Sequence, residues 1–110
     1  MMNMLLLRAL SLVAIFSALS PGAHAQTNPR IARGHDIAKQ SCNICHSLDG
    51  QEPAKTQNAK APSFKAIAGN RGVTRDSLKI FIMIPKHPMP IVHLRSDEID
   101  DVVAYILSLK

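Results

Sequence analysis

A chain of 110 residues with two cysteines and no tryptophan has room for one domain and excludes a multidomain enzyme. The formal net charge is +5, but the cations are scattered (Lys39, Lys55, Lys60, Lys65, Arg71, Arg75, Lys79, Lys86) with little aromatic interleaving, which argues against nucleic acid as a partner. One tyrosine and three phenylalanines make a thin core, so a domain this small is expected to carry a staple: a disulfide, a metal or a bound cofactor.

The chain opens with Met1-Met2-Asn3-Met4, a single cation at Arg8, and an apolar run from Leu5 to Leu19. Ser20-Pro21-Gly22 breaks the run, and Ala23-His24-Ala25 supplies the small-x-small pattern of a cleavage site. This is the pattern of a secretory signal peptide over 1–25, with a mature domain over 26–110. The run falls short of the roughly 20 apolar residues a membrane anchor needs, and no later stretch does better, so no membrane span is expected after cleavage. Export without an anchor implies the periplasm of a Gram-negative bacterium. Losing Arg8 with the leader lowers the formal charge of +5 by one and leaves a mildly basic surface, suited to docking on an acidic protein partner.

In the mature part, Asn28-Pro29 reads as N-cap and first helical residue. Ile31, Gly34, Ala38 and Cys42 then share one helical face. Gly34 disfavours a helix interior by about 1 kcal/mol relative to Ala, so its presence predicts close packing by another element. From Ser47 to Pro62 the composition is that of a loop. Ser63 is expected to cap a short helix through Phe64 and Ile67, ended by Gly69-Asn70. Thr74 or Asp76 is expected to cap another, with Leu78, Ile80, Phe81, Ile82, Met83 and Ile84 apolar and Met83 filling core. A proline-stiffened loop, Lys86-His87-Pro88-Met89-Pro90, follows. Ser96 reads as the cap of the last helix. Asp97, Glu98, Asp100 and Asp101 sit at its positive end, and Ile99, Val102, Val103, Ile106 and Leu109 form its apolar stripe. No strand pattern persists, and the predicted class is all-α.

Cys42-Asn43-Ile44-Cys45-His46 is the attachment pattern for c-type haem. Two thiols add across two porphyrin vinyl groups, two residues span the gap, and the next residue projects an imidazole at the iron. A redox Cys-x-x-Cys of the thioredoxin kind needs a βαβ unit that is missing here. A closed zinc site needs further ligands, for which only His87 and His93 are at hand, and a plain structural disulfide explains none of the context. The leader, the all-α pattern and the thin core all favour one covalent haem c. For the sixth iron position Met89 is the candidate: a soft, neutral thioether in a stiff loop just before the last helix. His87 and His93 are the alternatives.

With these features in order, the mature chain resembles the class I cytochrome c family, small single-haem electron carriers. The resemblance implies three to five helices around one covalently attached haem, with the N- and C-terminal helices crossing. It implies Cys42, Cys45, His46, Pro62 and Met89 as cofactor-binding residues, with His46 and Met89 as the iron ligands. Pro62 stands where the family has a proline whose carbonyl accepts the proximal imidazole N–H. Gly34, eight residues before Cys42, stands where the family has a helix-crossing glycine, and Tyr105 resembles the aromatic that packs on it. Ala38 replaces a frequent aromatic, and Ala61 replaces glycine in the usual Gly-Pro pair.

The function expected is a periplasmic one-electron carrier, not an enzyme, working as a monomer or a peripheral subunit with redox protein partners. Two other functions fit the same residues: a haem c subunit of a larger oxidoreductase, and a gas-binding or peroxidatic haem protein with an open sixth site.

Overall fold

The computed structural model describes residues 28–56 and 60–110; the predicted leader, 1–25, lies outside them. Among the described residues there are four helices and no strand, in keeping with the all-α prediction: α1 (Pro29–Ser41), α2 (Phe64–Gly69), α3 (Arg75–Met83) and α4 (Ser96–Ser108). None of them is long and apolar enough to cross a membrane.

Local chemistry sets the helix starts. Asn28 Oδ1 accepts from the Arg30 N–H at 3.0 Å, with Pro29 at the first helical position. Ser63 Oγ accepts from the Ala66 N–H at 3.0 Å, and α2 ends at Gly69 with Asn70 beyond it. Thr74, not Asp76, caps α3: Thr74 Oγ1 accepts from the Ser77 N–H at 3.1 Å, and Ser77 Oγ accepts from the Thr74 N–H at 2.9 Å. The cap of α4 corrects the sequence reading. Arg95 occupies the N-cap and Ser96 is already helical, because the Glu98 carboxylate reaches back to accept the Arg95 N–H at 2.8 Å. The arginine side chain has only donors, so the reciprocal half of a capping box cannot form.

The core is built where α1 packs on α4. Ala38 and Val103 are wholly buried, with Ile99, Val102, Tyr105 and Ile106 beside them. At Gly34 the helices meet backbone to backbone: a β-carbon there would run into the Asp101 carbonyl and lie 2.9 Å from Tyr105 Cβ. Asp101, read from sequence as one of the anions at the start of α4, is buried at this crossing. Its carboxylate is held by two arginines one turn apart on α1, with Arg33 Nε at 3.0 Å and Arg30 Nε at 3.4 Å. A carboxylate taken out of water needs such partners. The 47–62 loop contributes a plug: Leu48 is wholly buried, and α2 is tied to this segment by Phe64 N–H to Ser47 O at 2.9 Å.

Helix α3 corrects a second expectation. Leu78 and Ile82 are its buried residues; Met83 is 59% exposed and fills no core, Ile80 and Ile84 are exposed with it, and Phe81, also exposed, lines a cavity on the inner side.

Tyr105 has a buried hydroxyl with no hydrogen-bond partner, while its ring packs edge-on to His35 at 5.1 Å and near Phe64 at 6.3 Å. Tyr105→Ala is expected to cost about 3–5 kcal/mol of stability, the range for losing a buried aromatic. Tyr105→Phe removes an unsatisfied polar atom and keeps the ring, so it should be neutral or stabilising. Burial, with Asp49 and Glu52 nearby, pushes the Tyr105 hydroxyl from 10.0 up to about 12. The folded value exceeds the unfolded one, so this contribution is complete below pH 10.0 and is lost as pH rises through about 12. Urea unfolding of the three proteins across that range checks both statements; a Phe variant weaker than the parent at neutral pH would show that the hydroxyl has a partner.

Candidate functional site

The Cys42–His46 segment leaves the end of α1 as one tight turn. The Cys42 N–H donates to Ala38 O at 2.8 Å, and the Cys45 and His46 N–H groups both donate to Cys42 O, at 3.1 and 2.9 Å. Curling in this way brings Cys42, Cys45 and His46 to the wall of a single cavity. Asn43 fixes the turn. It is 5% exposed, and its side-chain amide donates to His46 O and Pro53 O, both at 3.1 Å. Lys55 N–H to Asn43 O at 2.9 Å and Thr56 N–H to Ile44 O at 3.0 Å add a backbone clamp. The sequence reading treated Asn43 and Ile44 as spacers. The one signal that could have singled out Asn43 was a side chain with two amide donors beside a long polar loop.

The thiols are free, and burial pushes the Cys42 thiol from 9.0 up to about 11. A redox-active cysteine is held low so as to be a thiolate at neutral pH, and burial moves Cys42 in the opposite direction. Among the described residues no group of three or more His, Cys, Asp or Glu is placed to hold a metal ion.

His46 Nδ1 lies 2.6 Å from Pro62 O. A carbonyl only accepts, so Nδ1 carries the proton and Nε2 is the nitrogen left with a lone pair. Phe64 supports the ring, its centroid 5.2 Å from that of His46. The Ala61-Pro62 pair therefore sets the imidazole without the glycine that the resemblance would supply.

The cavity has a volume of about 1070 Å³, just above the roughly 300–1,000 Å³ usual for small-molecule sites. Its remaining walls are mostly apolar: Phe64 and Ile67 from α2, Leu78 and Ile82 from α3, Leu94, and Val102 and Ile106 from α4. Met89 lines it from the loop after α3, in a turn closed by Met89 N–H to Lys86 O at 3.0 Å. Lys60, Lys86 and His87 also border it. His93 does not: it lines a separate cleft of about 300 Å³ with Met83, Val92 and Ile99. Of the three sixth-ligand candidates, Met89 and His87 thus share the cavity with His46, and His93 does not.

Two thiols and an imidazole on one turn, a thioether in the same apolar cavity, and an imidazole orientation fixed by a carbonyl form a donor set that fits haem. A cofactor filling a cavity of this size would supply the staple that the composition called for.

A family model described as Cytochrome c matches residues 31–110, from Ile31 in α1 to the last residue of the chain. Comparison with curated proteins and with solved structures gives no match.

Proposed function

Because the chain belongs to the cytochrome c family, whose members carry out haem-based electron transfer, we propose that it is a periplasmic one-electron carrier holding one haem c covalently through Cys42 and Cys45, with His46 and Met89 as axial ligands. The observation that carries this reading is the 2.6 Å contact between His46 Nδ1 and Pro62 O, made in the same cavity that Met89 lines.

When bound, haem supplies a ferric–ferrous couple whose potential depends on its axial ligands and surroundings. The protein's residues do the rest. His46 keeps its proton on Nδ1 and donates it in a hydrogen bond to the Pro62 carbonyl, which fixes the tautomer, orients the ring and makes Nε2 a stronger donor. Met89 offers a neutral thioether, which favours the ferrous state. Phe64, Ile67, Leu78, Ile82 and Leu94 keep water from the site and lower the local dielectric. With both ligands retained through the cycle, little of the chain has to move.

The test is an absorption spectrum of the exported protein, oxidised, reduced, and reduced under carbon monoxide, after extraction with acid-acetone. Haem retained by the polypeptide, sharp low-spin bands and indifference to carbon monoxide are expected. A reduced protein that takes up carbon monoxide would mark an open sixth position and a ligand-binding role. Loss of all haem to the solvent would overturn covalent attachment.

Partner choice rests on charge. Lys60 and Lys86 border the cavity, and neither has an ion-pair partner among the described residues. An acidic redox partner would be steered to that rim, so its association rate should fall steeply as ionic strength rises. Stopped-flow rates that stay flat between low and high salt would remove electrostatic steering from the account.

A further inference from the structure

Just after His46 the chain makes a tight turn over 48–52, closed by Leu48 N–H to Glu52 O at 3.1 Å. Gly50 supplies the left-handed residue that the turn needs, at φ +92°. The two supports of the His46 imidazole leave from the two flanks of this turn. On one flank, Pro53 O accepts from the Asn43 amide, which also holds His46 O. On the other, Ser47 O and Leu48 O accept from the Phe64 and Lys65 N–H groups at 2.9 and 3.3 Å. Those two bonds set the start of α2, whose Phe64 ring backs the imidazole.

The turn is itself tied to α1 by one side chain. Glu52 Oε1 lies 3.0 Å from Lys39 Nζ, and Glu52 Oε2 lies 3.4 Å from His35 Nε2. Only 26% of the Glu52 side chain is exposed, and Oε2 is out of water with no hydrogen bond, so the His35 contact is one of charge and not of hydrogen-bond geometry. A loop glutamate with no partner to reach would keep its carboxylate in solvent. Taking one oxygen out of water is a cost that opposite charge has to offset.

We propose that Glu52 is a positioning residue for the His46 imidazole, an assignment that rests on the haem reading above. The Pro62 carbonyl fixes which ring nitrogen carries the proton. How the plane of the ring is turned depends on the frame around it, and both arms of that frame start from the turn that Glu52 pins to α1. Glu52 touches neither His46 nor the cavity wall; it acts through Pro53 and Asn43 on one side and through Leu48 and Phe64 on the other. Lys39 is 57% exposed, so the pair is partly screened. Its loss is therefore felt in the local order of the turn more than in global stability.

The experiment is proton NMR of the oxidised, haem-loaded, exported protein at low salt, with two readouts. The spread of the haem methyl resonances follows the orientation of the axial ligands, and amide hydrogen exchange follows the order of the turn. Glu52→Lys is expected to change the methyl pattern and to speed exchange of the Lys55, Thr56 and Phe64 N–H groups by about tenfold or more. Lys39→Glu/Glu52→Lys, which rebuilds the pair with its signs exchanged, should restore both. Should Glu52→Lys fail to fold, Lys39→Ala carries the same expectation from the exposed side of the pair. Asp100→Asn is the control: it breaks the 2.7 Å pair with Lys79, which joins α3 to α4 away from the turn, and should leave the methyl pattern as in the parent. A parent pattern and parent exchange in the Glu52→Lys and Lys39→Ala proteins overturn the proposal, as does an Asp100→Asn protein that changes as much as they do. A parent that holds no haem overturns the haem reading instead.

Discussion

Met89→Ala is expected to keep its haem and to bind carbon monoxide when reduced, where the parent does not. On the proposed reading haem is attached through Cys42 and Cys45 on the turn fixed by Asn43, none of which the substitution touches. Vacating the thioether leaves the sixth position to water or gas. Met83 cannot replace it, since it is exposed and lines the separate cleft. His87 borders the cavity two residues away and is the one competing donor in that loop. If an imidazole moved in, the single variant would stay low-spin, and Met89→Ala/His87→Ala would then open the site. The reduction potential should fall in either case, by a sizeable share of the ~0.8 V that axial ligands span across haem proteins. A double variant that still ignores carbon monoxide and keeps the parent's potential would show that Met89 is not the ligand.

What the sequence made legible followed from short-range chemistry. Asn28-Pro29, Ser63 and Thr74 act within three residues of themselves, so the helix starts could be read from residue type. The cap of α4 was misread by one position because Ser96 and Arg95 compete there, and the carboxylate of Glu98 decides between them. The Cys42–His46 motif stands out in the sequence because the spacing proposed for haem attachment answers to a fixed chemical distance, while Asn43, which holds the turn, was hidden because its partners lie in a loop with no pattern of its own. The side chains of α3 show the limit most clearly. A run of six apolar residues from Leu78 to Ile84, broken only by Lys79, carries no helical period that says which of them turn inward, and the structure leaves four exposed. Asp101 was legible as an anion at a helix start, but its burial between two arginines depends on how α1 and α4 meet, which only tertiary packing determines.

That meeting point gives a large expected effect on stability from the smallest of substitutions. Gly34→Ala should lower it by about 3 kcal/mol or more, a serious loss for a domain whose total is about 5–15 kcal/mol. Helix propensity alone would favour the alanine by about 1 kcal/mol. Against that, the new β-carbon meets the Asp101 carbonyl, which is backbone and cannot rotate aside. Overpacking a core typically costs about 1–3 kcal/mol. Relief requires α4 to move away, and moving it carries the buried Asp101 carboxylate from Arg30 and Arg33, where losing a partner of a buried charge costs about 3–5 kcal/mol. Gly69→Ala is the control: a β-carbon there has nothing within 4 Å, so the same chemical change should be neutral or stabilising by up to about 1 kcal/mol. Urea unfolding of both variants, followed by helical circular dichroism, separates the two effects. A Gly34→Ala protein as stable as the parent would mean that α1 and α4 do not touch through their backbones, and the packing that delivers Cys42 to the cavity would have to be redrawn.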